Sequence, residues 1–257
     1  MTEYVKISDA EGVRTIAFSR ADKKNALTRE MYDAAANALN GAQNDPEIRV
    51  VLFAGEGDSF TAGNDLNDFL EHPPFSEDGP SPVERFMTAL MEAKKPVVAA
   101  VGGLSVGIGV TMLLHCDLVY ASRMATFSTP FVKLALAPEF ASSITMPAVM
   151  GRAKAAEMLL LGEKLSAEEA ERAGLVARVF ADEELIEQAT ARCRKLAKLA
   201  PGAVADAKTL LRAPAEDLAA RMQREGKLFN ERLGSDEFKE AAGAFFERRE
   251  PDFSKFG

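Results

Sequence analysis

Residues 99–122 read AAVGGLSVGIGVTMLLHCDLVYAS, and the way this stretch divides decides the fold. Val97 to Leu114 carries no charge over 18 residues, which is the lower limit for a membrane span. Four glycines interrupt it, Gly102, Gly103, Gly107 and Gly109, Pro96 precedes it, and its period changes midway. It therefore reads as a buried strand at Val97–Val101, a glycine-rich turn, a helix through Leu114 and a second strand at Leu118–Ala121. Strand, turn, helix and strand in that order are the signature of an α/β domain.

Upstream, β-formers at Tyr4–Ser8 and Val13–Ser19 flank the turn signal Asp9-Ala10-Glu11-Gly12, which predicts a hairpin. Thr28 is placed to cap a helix running to Gln43, with Met31, Ala35, Ala38 and Leu39 on one side, before Asp45-Pro46 stops it. A buried strand is expected at Ile48–Ala54, and a surface loop that could act as a lid at His72–Pro82, ahead of a helix over Val83–Lys95. From Phe140 onward the pattern is helical, with a capping box at Ser166-Ala167-Glu168-Glu169, a stop at Gly174 and one extended exception at Val176–Phe180. Helices at 182–199, 202–212, 214–233 and 236–249 carry apolar stripes that include Leu228, Phe229, Phe238, Phe245 and Phe246.

The chain of 257 residues has a net charge of −8 and a pI near 5.1. A general nucleic-acid surface needs a basic field that this balance does not supply. Cys116 and Cys193 lie far apart and form no CxxC, so a reducing compartment is expected. The acidic start MTEYVKISDAEGVRT lacks the basic and apolar segments of an export signal.

Gly103-Leu104-Ser105-Val106-Gly107 matches the GxSxG nucleophile elbow. A serine hydrolase needs a histidine and an acid after the serine in the order Ser, acid, His. The two histidines are His72, before the serine, and His115, which follows it with no acid between, so the motif reads as a glycine-shaped turn. His115, at the end of an apolar helix beside Cys116-Asp117, reads as a core or helix-terminal side chain rather than a metal ligand. Neither GxGxxG nor GxxxxGK[ST] occurs in the cluster 102–109. Phe60-Thr61-Ala62-Gly63-Asn64-Asp65-Leu66 remains, directly after a buried strand, where small residues allow a ligand close to the backbone. Leu136-Ala137-Pro138-Glu139, followed by Phe140-Ala141-Ser142-Ser143, places an acid where the plain reading is the first turn of a helix.

Taken together, Asn25-Ala26-Leu27, FTAGNDL at 60–66, the stretch 99–122 and FSTPF at 127–131 resemble the crotonase (enoyl-CoA hydratase/isomerase) superfamily in order and spacing. The resemblance implies an α/β fold, a crotonase-like spiral of ββα units over 1–195, and a C-terminal helical trimerisation region over 196–257 that builds homotrimers or hexamers. It implies an oxyanion hole from the N–H groups of Asn64 and Ile108. It also implies contacts to an acyl-CoA thioester substrate at Lys24, Asn25, Ala26, Ala62, Gly63, Asn64, Asp65 and Leu66, and at Ile108 and Phe131, with Lys23 or Lys24 near the phosphates. Phe69, Leu70, Phe86, Leu90 and Phe131 are candidates for an acyl pocket. Ile108 stands where the superfamily often has glycine.

The hydratases of the superfamily hold water between two glutamates, whose matching positions here are Thr111 and Phe131. The run from GNDL to PE and SS is similar instead to peroxisomal-type 3-enoyl-CoA to 2-enoyl-CoA isomerases, which implies Glu139 as the catalytic base. Phe140 departs from the glycine expected there, and the ending Ser254-Lys255-Phe256-Gly257 departs from SKL. The expected protein is a cytoplasmic isomerase of fatty-acid degradation that uses no metal or redox cofactor and binds neither nucleic acid nor membrane. Hydration, thioester hydrolysis and non-catalytic acyl-CoA binding remain alternatives.

Overall fold

A computed structural model describes residues 2–72, 79–213 and 217–256. The strands form two sheets. The larger has six strands in the order β1-β2-β3-β5-β7-β10: β1 (Val5–Ala10), β2 (Val13–Phe18), β3 (Val50–Gly55), β5 (Val97–Val101), β7 (Leu118–Ser122) and β10 (Arg178–Phe180). The smaller has four three-residue strands in the order β4-β6-β8-β9: β4 (Ser59–Thr61), β6 (Leu104–Val106), β8 (Thr126–Ser128) and β9 (Lys164–Ser166). After the β1–β2 hairpin, each of the next three turns of the chain lays one strand in the large sheet, the next in the small sheet, and then a helical segment. Thus β3 and β4 lead to α2 (Leu66–Glu71), β5 and β6 to α4 (Ile108–Thr111), and β7 and β8 to a 3-10 turn at Val132–Leu134. This is the ββα spiral.

The hairpin turn is tighter than expected. β1 runs on to Ala10, so Glu11 and Gly12, at φ 51° and 77°, make the whole turn, in the left-handed geometry that suits the twist of the strands. The remaining large-sheet pairs are parallel, and parallel strands covered on both faces read as continuous apolar runs. All five residues of β5 are buried. Successive residues face opposite layers: Val51, Phe53, Val97, Ala99 and Val101 join the main core, whereas Val50, Leu52, Val98 and Ala100 pack under α7 (Leu185–Ala197) through Leu185, Ala189 and Cys193.

Thr28 caps α1 (Arg29–Asn44) as the sequence predicts, and Met31, Ala35, Ala38 and Leu39 are buried. α3 covers Pro82–Glu92 rather than reaching Lys95, with a capping box between Ser81 and Glu84. Of the expected lid, residues 73–78 lie outside the described residues. α5 (Ser142–Ala156) is two helices joined at Gly151, whose φ of 75° breaks the coil, and α6 (Ala167–Arg172) starts at the predicted box. α8 (Pro201–Arg212), α9 (Leu218–Leu233) and α10 (Asp236–Glu247) form the C-terminal region; the expected start of α9 at 214 falls outside the described residues.

A buried cation ties α8 to the spiral. Lys208 Nζ donates to Lys95 O at 2.7 Å and pairs with Asp117 Oδ2 at 2.8 Å, and that carboxylate oxygen also accepts from Val97 N at 2.7 Å. Among the described residues, no helix is long and apolar enough to cross a membrane.

Candidate active site

Two segments distant in sequence form one wall. Ala62 N donates to Lys24 O at 2.8 Å, Leu27 N to Gly63 O at 2.8 Å, and Asp65 N to Leu27 O at 2.9 Å. In this parallel pairing Leu27 sits opposite Asn64, so both bonds pass on either side of Asn64 and leave its N–H facing away. Asn25, fully buried, holds the wall from behind: its side chain donates to Glu56 O and Ser59 O at 2.9 and 2.7 Å and accepts from Arg20 N at 2.7 Å. Asp65 accepts from Asn67 N and Asp68 N at the start of α2 and pairs with Arg20 at 2.7 Å, which holds its carboxyl below the usual range. The side chains of Asn25 and Asp65 are thus committed to building the wall, and Lys24 is paired with Asp58 at the surface. Ala26 O accepts from Arg20 Nη1 at 3.0 Å, and Leu66 is exposed as the first residue of α2.

The second wall is the start of α4. Gly107 takes φ 57° and donates its N–H to Ser128 O at 2.8 Å, and its carbonyl accepts from Val110 N and Thr111 N. Ile108 is the first helical residue, and an N–H at that position has no partner within its helix. The two walls touch through glycine. A Cβ on Gly63, whose φ is 90°, would lie 2.8 Å from Val106 O. Phe131 packs beside Gly107 and is buried.

Glu139 closes the site. Its Oε1 accepts from Thr111 Oγ1 at 2.5 Å, while Oε2 is buried with no partner among the described residues. Burial pushes the carboxyl up to about 7, against the smaller opposing pull of the Thr111 bond. Glu139 does not lie in the first turn of a helix, since α5 begins three residues later at Ser142; its acidity is set by its pocket instead. Tyr32, buried on α1, donates its hydroxyl to Asn64 Oδ1. Nothing in the sequence pattern marked Tyr32, because a tyrosine on the apolar face of a helix is most simply a core residue.

The GxSxG stretch is explained by packing. Ser105 lies within β6, fully buried, and its Oγ has no hydrogen-bond partner among the described residues. His115 is bonded to Phe140 O instead. Gly103, at φ 61°, lies so close to Asp58 that a Cβ would be 1.8 Å from its carbonyl oxygen. Phe86 and Leu90 belong to the core, where Phe86 packs against Tyr32 and Phe53, and Leu70 is exposed. Among the described residues, no group of three His, Cys, Asp or Glu side chains is arranged to hold a metal ion.

A spiral of ββα turns that brings two glycine-shaped backbone turns to one raised carboxyl is the crotonase type of fold. The enoyl-CoA hydratase/isomerase family model matches residues 8–255, and the chain belongs to that family. The structure is similar to that of a candidate enoyl-CoA hydratase/carnithine racemase from Magnetospirillum magneticum AMB-1, with a TM-score of 0.95 and 44% identity over 99% of this chain and 100% of that one. In sequence it is 38% identical over 253 residues to enoyl-CoA delta isomerase 2 of Homo sapiens, covering 96% of this chain and 64% of that protein. It is 34% identical over 266 positions, 99% of each chain, to 1,2-epoxyphenylacetyl-CoA isomerase of Escherichia coli (strain K12).

Proposed function

We propose that the protein isomerises 3-enoyl-CoA to trans-2-enoyl-CoA within fatty-acid degradation in the cytoplasm. The observation that carries this reading is Glu139, a buried carboxyl raised to about 7 and tethered to Thr111 one helical turn from Ile108. Its carboxylate removes a proton from carbon 2, the electron pair moves into the thioester carbonyl, and a dienolate forms. The N–H groups of Asn64 and Ile108 donate to that oxygen as its charge grows, and the protonated Glu139 returns its proton to carbon 4. A base near neutrality suits transfer in both directions. The scheme asks for no metal or redox group, because the charge rests on backbone donors. The pantetheine and nucleotide ends of coenzyme A would run along the wall formed by Lys24–Ala26 and Ala62–Leu66.

Hydration is disfavoured because Thr111 and Phe131 provide no second carboxylate to hold water opposite Glu139. Incubation with 3-hexenoyl-CoA should yield the conjugated 2-enoyl thioester, read by absorbance and mass, and 2-hexenoyl-CoA should give no 3-hydroxyacyl product. A hydration rate comparable to isomerisation would remove this reading of positions 111 and 131.

The working unit is proposed to be a homotrimer, single or paired into a hexamer. Leu211, Leu218, Phe245 and Phe246, all on α8 to α10, are 87%, 83%, 78% and 81% exposed in the single chain, which leaves large apolar side chains on the C-terminal helices for a subunit contact to cover. Light scattering at micromolar concentration should give the mass of three or six chains; a stable monomer would sink the proposal.

A further inference from the structure

Glu139 is followed by two successive non-glycine residues in the left-handed region, Phe140 at φ 53° and Ala141 at φ 55°. A Cβ makes this conformation unfavourable, and such residues persist where their surroundings over-determine them. Backbone bonds secure the two flanks. Ser142 N donates to Glu139 O at 3.0 Å, and Ile144 N and Thr145 N donate to Ala141 O, each at 3.0 Å.

The carbonyl between them belongs to Phe140, and it is held by a side chain. It accepts from His115 Nε2 at 2.9 Å. The Phe140 ring also stacks on the imidazole, with centroids 4.0 Å apart and planes inclined by 21°. One residue therefore grips Phe140 by backbone and ring together. A carbonyl can only accept, so Nε2 carries the hydrogen, and burial lowers the pKa of His115 below its ordinary value, which favours the neutral ring.

His115 is itself anchored. It ends the 3-10 turn Met112–His115 that continues α4, and its carbonyl accepts from Arg212 Nη2 on α8. One continuous helical stretch, 108–115, thus carries Ile108, then Thr111 bonded to Glu139, then His115 bonded to Phe140.

We infer that His115 is a positioning residue: by holding the Phe140 peptide it fixes Glu139 in register with the oxyanion donor at the other end of the same helical stretch. This rests on the reading of Glu139 as the base. His115 touches no reacting atom. Its effect is on the alignment of carboxylate and substrate carbon, where a displacement of about 1 Å can cost on the order of a hundredfold in rate.

Two variants separate the hydrogen bond from the ring. His115→Phe keeps a stacked ring and deletes the donor; His115→Gln keeps an N–H at comparable reach and deletes the ring. With 3-hexenoyl-CoA, His115→Phe should lower kcat at least about tenfold with KM within about twofold, whereas His115→Gln should retain kcat within about threefold. The inference is overturned if His115→Phe keeps the parent kcat, if His115→Gln falls as far, or if the loss lies in KM. Should melting curves show His115→Phe unfolded, His115→Leu, which lacks both donor and ring, is read against His115→Gln: a tenfold kcat loss in His115→Leu beside near-parent kcat in His115→Gln supports the inference, and parent kcat in a folded His115→Leu overturns it. Glu139→Gln, run alongside, distinguishes the two failures. Turnover near the parent rate in that variant would remove the base itself, while an inactive Glu139→Gln beside a fully active His115→Phe would remove only the role of His115.

Discussion

Glu139→Gln should lower kcat for 3-enoyl-CoA isomerisation by at least about a hundredfold, the lower end of the usual contribution of a general base. Glutamine matches the shape and its Oε1 can still accept from Thr111 Oγ1, but it cannot take up a proton at neutral pH. Thioester affinity should change little, and the variant should still fold. The parent enzyme should also show a pH limb that the variant lacks. With Glu139 raised to about 7, activity should fall about tenfold per pH unit below that value, as the base becomes protonated. The linkage to stability has the opposite direction. A carboxyl raised in the folded state binds its proton more tightly there than in the unfolded chain, so the folded form loses stability as pH rises from 4.5, the ordinary value, to about 7. Glu139→Gln should therefore gain stability relative to the parent above pH 7 in urea titrations. A folded variant that binds thioester and isomerises at the parent rate would sink the assignment.

Gly63→Ala should cost a comparable factor by another route. The residue takes φ 90°, and an added Cβ would meet Val106 O at 2.8 Å, a contact between the two walls that neither backbone can relieve without moving. Gly63 N donates to Thr61 Oγ1 at 3.0 Å and its carbonyl accepts from Leu27 N, so the displacement passes to Asn64. Losing one oxyanion donor costs about 3 kcal/mol, roughly a hundredfold or more in kcat. Left-handed strain and the clash should also destabilise the fold by about 1–2 kcal/mol or more. The diagnostic result is a kcat loss in protein that is still folded at the assay temperature; unchanged kcat in folded protein would show that the Asn64 N–H is not a donor in the reaction.

The long elements were legible because their patterns repeat. The capped apolar face of α1 and the uninterrupted Val97–Val101 each match one template, and the structure follows them. The small sheet was not legible by pattern. Its strands have three residues each, too few for any alternation to show, and Leu104–Val106 lies inside a glycine-rich stretch that reads as a turn. Such strands form because the large sheet delivers their ends side by side, which is a property of the assembled spiral. At the candidate site, the motifs single out Asn64, Ile108 and Glu139, but not the side chains that the structure packs against them. His115 looked like a plain helix-end histidine, and that reading holds for its burial. Its bond to the Phe140 carbonyl depends on the 25-residue return of the chain, which no local pattern encodes. Asn25 and Asp65 stand in the segments expected to meet the substrate through their backbone, and their side chains prove to be struts of that wall, a role the sequence does not mark because hydrogen-bonding residue types look the same in either use.

The Lys208 anchor bears on how the chain reaches this state during synthesis. Its bond to Lys95 O spans 113 residues, and until α8 exists, that carbonyl and the second acceptor, Asp117, await their cation at the end of strands that are otherwise apolar. Loop closure over such a distance is entropically late. A nascent chain that had completed the spiral but not α8 would therefore leave this polar pair beside β5 and β7 without its cation.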